Sequence, residues 1–201
     1  MVQIDKIYTR AGDAGRTRLA TGEDVSKGSA RIEAMGAVDE ANCSIGVARL
    51  HTTSDPVLDA ILARAQNDLF DLGADLATPE RDQPLPFTPL RILDGQVARL
   101  EQEIDALNAE IPPLSSFVLP GGSAASAHLH VARAACRRAE RNTAQLAGLA
   151  GEQVSGPALR YLNRLSDLLF VAARWANARG AEDVLWKPGL TRPPAKTDQS
   201  A

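Results

Sequence analysis

PALRYLNRLSDLLFVAARWANARG, residues 157–180, decides the fold. Its apolar residues Leu159, Leu162, Leu165, Leu169, Ala172 and Ala176 return at steps of three, four and seven, the spacing of one helix face. Proline stands at the first helical position and Gly180 at the predicted stop, so a helix is predicted over 157–179. Working outward, HVARAACRRAERNTAQL (130–146) carries the same periodicity, and Ser123 can cap a helix running to about residue 146. Further upstream, Thr88-Pro89 and Asp55-Pro56 each read as a cap followed by proline. Behind Thr88, Leu93, Val97, Leu100, Ile104 and Leu107 form a stripe. Behind Asp55, the stripe is Val57, Ile61, Leu62, Ala65, Leu69 and Leu72. A first helix is predicted over 29–51, with Ile32, Met35, Val38, Ile45 and Leu50 toward the core. The pattern predicts an all-α bundle with almost no strand.

Three regions follow from this reading. Residues 1–28, rich in Gly, Thr and charge, form an irregular N-terminal arm. Residues 29–183 form the helical bundle and 184–201 a C-terminal tail, of which KPGLTRPPAKTDQSA (187–201) reads as solvated or conditionally ordered. The Pro-rich ATPERDQPLPF (77–87) and IPPLSSFVLPGGS (111–123) interrupt the helices, because proline removes a ladder donor and clashes with the preceding turn.

Composition narrows the function classes. The chain has 201 residues, 44% apolar and 23% charged, with a formal net charge of −3. An acidic balance without interleaved aromatic and basic residues argues against nucleic acid as partner. No apolar run reaches the roughly 20 residues of a membrane span. The N-terminus has no basic-then-apolar signal pattern, so a cytoplasmic setting is expected. Two cysteines, Cys43 and Cys136, are too few for a disulfide framework and read as small buried residues. His128 and His130 sit two apart on a helix and point to different faces, so they make no metal pair, and no metal site is expected.

Three segments carry possible chemistry. In YTRAGDAGRT (8–17), Gly12 and Gly15 allow tight turns, and Thr9, Thr17, Arg10, Arg16 and successive amides can surround an anion. The same segment also reads as a plain charged terminus. On the helix over 130–146, Arg133, Arg137 and Arg141 recur every four residues and share a face flanked by Arg138 and Glu140. Such a fork-bearing stripe suits polyphosphate, although charge runs are commonly solvated faces. In FVLPGGS (117–123), Phe117 leads a tight turn and is either a core plug or a ligand contact.

These motifs, with RIEAMGAVDEANCSIG (31–46) and YLNRLSDLLF (161–170), resemble the PduO-type ATP:cob(I)alamin adenosyltransferases from Tyr8 to about Lys187. The resemblance implies a five-helix bundle that assembles as a homotrimer with ATP between neighbouring subunits. It implies transfer of the 5′-deoxyadenosyl group of ATP to the cobalt of cob(I)alamin, with Mg²⁺ accompanying the nucleotide. Thr9, Arg10, Ala11, Gly12, Asp13, Thr17 and Lys27 would then wrap the triphosphate. Arg137, Arg138, Glu140, Arg141 and Asn163 would complete the nucleotide site from the adjacent subunit. Asp39 and Arg133 would pair across the interface, and Phe117 would lie beneath the corrin ring. Phe117, Arg137 and Lys27 are the residues expected to carry catalysis. A flavin-type reductase and an adenosylcobalamin-dependent enzyme would be partners. The other readings are a non-catalytic cobalamin carrier or nucleotide sensor on the same bundle, and a purely structural bundle, which leaves the glycine-rich arm unexplained.

Overall fold

The computed structural model describes Tyr8, residues 10–81 and residues 85–193. Five helices dominate it: α1 (Ala30–Arg49), α2 (Pro56–Leu76), α3 (Asp94–Asn108), α4 (Ala124–Ala147) and α5 (Gly156–Trp175). They run alternately up and down. Near one end, Arg31 of α1 donates to the carbonyl of Leu76 at the end of α2. Asn142 of α4 donates to Glu33 of α1 at the same end, while at the other His51 stacks on His128. α4 packs between α1 and α5, α2 lies against α1, and α3 lies along α5.

Caps and prolines place two helix starts where the sequence predicts them. Asp55 accepts from the backbone N–H of Leu58, and Ser123 accepts from that of Ser126. Each satisfies a donor that the first turn leaves without a partner. α3 departs from expectation, beginning at Asp94 rather than behind Thr88-Pro89. Arg91 is drawn to the carboxylate of Asp75 and the carbonyl of Thr78, and the N–H of Ile92 donates to Asp75. These bonds hold 91–92 extended, so the helix starts later, where Gln96 reaches back to the N–H of Leu93.

The core is built differently from the predicted stripe on α1. Ala34, Val38, Ala41, Ile45 and Ala48 face inward, whereas Leu50 is exposed, as are Val57 and Leu93 on their own elements. Ile32 and Met35 are half-buried, as is Leu159 on α5. Alanines let α1 approach Ala132, Cys136 and Ala139 of α4, all of them buried. Cys136 is sealed as expected, but Cys43 is exposed, because the alanines rather than the larger residues of α1 define its inner face. Two short antiparallel strands, β1 (Arg16–Arg18) and β2 (Asp24–Ser26), correct the expectation of a wholly irregular arm. Arg16 closes this hairpin on Asp24 at 2.6 Å, and the N–H of Ala20 donates to the carbonyl of Ala77. Among the described residues no helix is long and apolar enough to cross a membrane.

Buried charge ties the helices together. On α2, Asp68 accepts from Tyr161 of α5 at 2.8 Å and from Gln96 of α3 at 2.9 Å, and pairs with Arg99. Burial, and then the Asp68 charge beside it, hold the Tyr161 hydroxyl well above its ordinary pKa. Arg31, buried on α1, donates to Leu76, to Glu152 at 2.5 Å and to the carbonyl of Gln153. Burial alone would raise the Glu152 carboxyl. The hydrogen bond and charge of Arg31, helped by Arg81, outweigh it, and the group titrates below its ordinary value of 4.5.

A carboxyl depressed in the folded state contributes stability that is complete above its unfolded pKa and is lost as pH falls through the folded one. Arg31→Ala should therefore cost roughly 2–4 kcal/mol at neutral pH, since it strands Glu152 and two carbonyls. Below pH 4.5 the gap between variant and wild type should narrow. Thermal unfolding across pH measures both, and a gap that stays constant would contradict the role given to this pair.

Candidate functional site

The motifs singled out in the sequence occupy three places on the bundle. The first is the arm. Gly15 adopts φ +75°, and the N–H of Lys27 donates to its carbonyl at 2.9 Å, closing the segment into a loop. The Lys27 ammonium lies against Gly12, where a Cβ would come within 2.8 Å of Nζ. Lys27, Ala11 and Asp13 are exposed, and Gly12 and Thr17 half-buried. Arg10, at φ 62°, lies over the ring of Tyr8. Thr9 falls outside the described residues.

The second place is the outer face of α4. Arg137 is half exposed and meets Glu140 only at 3.9 Å. Arg141 makes no ion pair among the described residues and is exposed. Glu140 is held by Asn163 of α5 at 2.9 Å, and Asn163 is held in turn by Arg164. Arg138 is ion-paired with Glu40 of α1, a partner the sequence reading missed because nothing in it tells which turn of α1 faces α4. Asp39 is exposed on α1. Arg133 is half-buried and its Nε is buried without a hydrogen-bond partner. No ion pair joins Asp39 and Arg133 within the chain. Two cations and an acceptor therefore stand on one face with little to neutralise them, which suits an anionic ligand carrying hydroxyls.

The third place is the turn before α4. Phe117 is 77% exposed, so it is not a core plug. Its backbone is paired: the N–H of Trp186 donates to the carbonyl of Phe117 at 2.7 Å, and that of Leu119 to Val184 at 2.8 Å. Val118 and Leu185 bridge between them. The tail is thus joined to the bundle at Val184–Trp186, a contact between distant segments that no local pattern signals.

A buried polar cluster fixes this end. Asn177 accepts from the N–H of Ser123 and donates to Asp183, both at 3.1 Å. Asp183 accepts from Arg174 at 2.7 Å, and Arg174 also donates to the carbonyl of Pro112. For this reason α5 ends at Trp175 rather than at 179. Asn177 leaves the helix to make these bonds, Ala178 and Arg179 turn at φ 51° and 53°, and Gly180 follows at φ 82°. His130 lies buried beneath, its pKa lowered first by burial and then by the charge of Arg133. Burial pushes the Cys136 thiol far up, leaving it no nucleophilic role. Among the described residues no three His, Cys, Asp or Glu side chains converge as metal ligands.

A model of the cobalamin adenosyltransferase family matches residues 7–176. The corrinoid adenosyltransferase of Mycobacterium tuberculosis strain H37Rv is 50% identical over 191 residues, 95% of this chain and 97% of its own length. That of Bacillus subtilis is 43% identical over 185 residues, covering 89% and 91%. A variant of the PduO-type ATP:corrinoid adenosyltransferase from Lactobacillus reuteri, complexed with cobalamin and ATP, superposes with a TM-score of 0.80. It is 38% identical, over 90% of this chain and 99% of that one.

Gly122 tests the rigidity of the third place. It sits at φ 98°, and a Cβ there would lie 2.3 Å from Oδ1 of the buried, fully bonded Asn177. Gly122→Ala should destabilise the protein by roughly 2–3 kcal/mol through strain and overpacking. An unchanged thermal midpoint would show that the turn relaxes freely and that Asn177 does not fix it.

Proposed function

This chain belongs to the cobalamin adenosyltransferase family, and on that premise we propose that it transfers the 5′-deoxyadenosyl group of ATP to the cobalt of cob(I)alamin. The observation that carries the reading is the α4 face, where Arg137 and Arg141 stand barely neutralised beside a Glu140 oriented by Asn163. A carrier that bound only a corrinoid would have no use for two exposed arginines at this spacing.

The active unit is a homotrimer with each site shared between two copies. The arm lies at the end of the bundle where α1 begins, and Phe117 at the end where α4 begins. That the copies number three follows from the family resemblance. A neighbouring copy brings the arm up to the α4 face. Asp39 and Arg133, unpaired with each other within the chain, meet across that interface, where Arg133 Nε finds the acceptor it lacks.

Reduced cobalt is the nucleophile. Its electron pair forms the Co–C5′ bond, the C5′–O bond breaks, and triphosphate leaves with the C5′–O bonding pair. No general base is required, since no proton moves at the reacting carbon. What the protein supplies is alignment and charge. Lys27 with the arm from Arg10 to Asp13, Thr9 and Thr17 encloses the triphosphate. Arg137 and Arg141 stabilise the negative charge that grows on the leaving oxygen, and Arg138 borders the site from its pair with Glu40. Glu140 and Asn163 accept and donate to the ribose. Mg²⁺ would accompany the nucleotide and offset part of the triphosphate charge beside Lys27 and Arg137.

Phe117 acts on the other face of cobalt. An apolar ring where the lower axial ligand would sit leaves Co(II) four-coordinate, and that species accepts an electron more readily from a flavin-type reductase. The product would pass to an adenosylcobalamin-dependent enzyme in the same cytoplasmic compartment.

The test is an anaerobic reaction of the purified protein with chemically reduced cobalamin and Mg-ATP, followed by the cobalamin spectrum. Conversion to the light-sensitive adenosyl form with release of triphosphate is expected. Arg137→Ala removes a charge-assisted contact worth roughly 1.5–3 kcal/mol, so ATP affinity by calorimetry should fall about tenfold to a hundredfold. Binding of both ligands without conversion would instead identify a carrier.

A further inference from the structure

The hairpin that follows the arm loop is held to the bundle at its turn. β1 and β2 bring Thr17 opposite Val25, and the N–H of Lys27 donates to Gly15 just beyond their open end. Thr17 and Lys27 therefore move with the hairpin as one body. Its closed end, the turn from Leu19 to Glu23, docks on the bundle at three points. Leu19 is buried, the N–H of Ala20 donates to the carbonyl of Ala77 at 3.0 Å, and Glu23 accepts from Arg81 at 3.2 Å.

Arg81 is the hub of the third point. Its side chain, 33% exposed, leaves the Pro-rich segment that follows α2. Nη2 donates to the Glu23 carboxylate, while Nη1 donates to the carbonyl of Gly151 at 3.1 Å and to Glu152 at 3.4 Å. Glu152 is itself gripped by the buried Arg31 of α1. A single guanidinium thus ties the hairpin turn to the connection between α4 and α5, through a carboxylate that the core has already fixed. An isolated exposed ion pair contributes little, because solvent screens it and two side chains lose freedom. Here one partner is preset and the planar fork serves both sides at once, so less freedom remains to be lost.

We propose that Arg81 is a positioning residue for the nucleotide, holding the hairpin so that Thr17 and Lys27 stand ready for the triphosphate before ATP arrives. This rests on the reading of the arm given above, and it brings in a residue from outside the motifs that mark the family. From Glu23 to Lys27 the chain is largely extended and spans about 13 Å, so a tilt at the turn is carried to the ammonium. Order supplied beforehand is order that binding need not create, and affinity gains by that amount. Arg81 is spent on the turn and on the α4–α5 connection, so its loss should weaken ATP binding and leave the transfer step alone.

The experiment compares wild type, Arg81→Ala, Arg81→Lys, Glu23→Gln and Lys27→Ala by ATP calorimetry, steady-state kinetics and hydrogen exchange of the nucleotide-free protein. Glu23→Gln cuts the tie on the hairpin side and leaves Arg81 on Glu152 and Gly151, so its thermal midpoint should match wild type. Arg81→Ala and Glu23→Gln should each raise the KM for ATP about twofold to fivefold with kcat and corrinoid KM unchanged. Exchange at the amides of Leu19 and Lys27 should quicken by a similar factor, and Arg81→Lys should recover part of both effects. If Lys27→Ala weakens ATP binding while Arg81→Ala and Glu23→Gln keep wild-type affinity and exchange, the proposal fails and the reading of the arm stands. If Lys27→Ala itself leaves ATP affinity unchanged, the reading of the arm fails and the proposal falls with it. Losses in Arg81→Ala that fall equally on ATP, corrinoid and thermal midpoint, with Glu23→Gln silent, would assign Arg81 to the stability of the bundle and overturn the proposal.

Discussion

Alternation of helix direction is the constraint from which the rest follows. Five helices running up and down put the two termini of α1, and those of α4, at opposite ends of the bundle. The arm enters at the start of α1, so it must lie beside the end of α4. The Phe117 turn enters α4, so it must lie at the other end, beside the end of α5. Nothing local in either motif determines this separation. It arises because Arg31, Asp68 and Asp75 lock neighbouring helices in register from inside, and buried ionic groups tolerate little displacement once their partners are fixed.

Function inherits that geometry. On the proposed reading, charge for the triphosphate is concentrated on the arm and on α4, and the exposed Phe117 stands at the far end. Stability and chemistry therefore draw on separate residues. The fully buried cations and carboxylates hold the bundle, while Arg137, Arg141 and Lys27 are left exposed. The two roles meet at the cluster of Arg174, Asn177 and Asp183. There a buried network shapes the turn that presents Phe117.

Much of this was legible in the sequence, for reasons that differ by element. α2 and α4 begin as read because Asp55 and Ser123 make local cap bonds, which sequence patterns report well. α3 begins late because Arg91 and Ile92 bond to Asp75, sixteen and seventeen positions away. On α1, Val38 and Ile45 face inward as read, but Leu50 does not, and the alanines that set the approach to α4 were missed because their hydrophobicity is slight. The arginine stripe was visible through its spacing of four, yet the pairing of Arg138 with Glu40 was not, since helix rotation is a tertiary property. Trp186 was missed for the same reason: only the folded chain brings it opposite Phe117.

The central claim is that one catalytic site takes its arm from one copy and its arginine face from another. Mixing two inactive variants, Lys27→Ala and Arg137→Ala, after dissociation and reassembly tests it directly. A shared site restores adenosyl transfer toward about a quarter of the wild-type rate, because random assembly pairs an intact arm with an intact α4 face at that frequency. If each chain builds its own site, every site in the mixture carries one defect. Activity that stays at the level of the separate variants after verified subunit exchange would contradict the account.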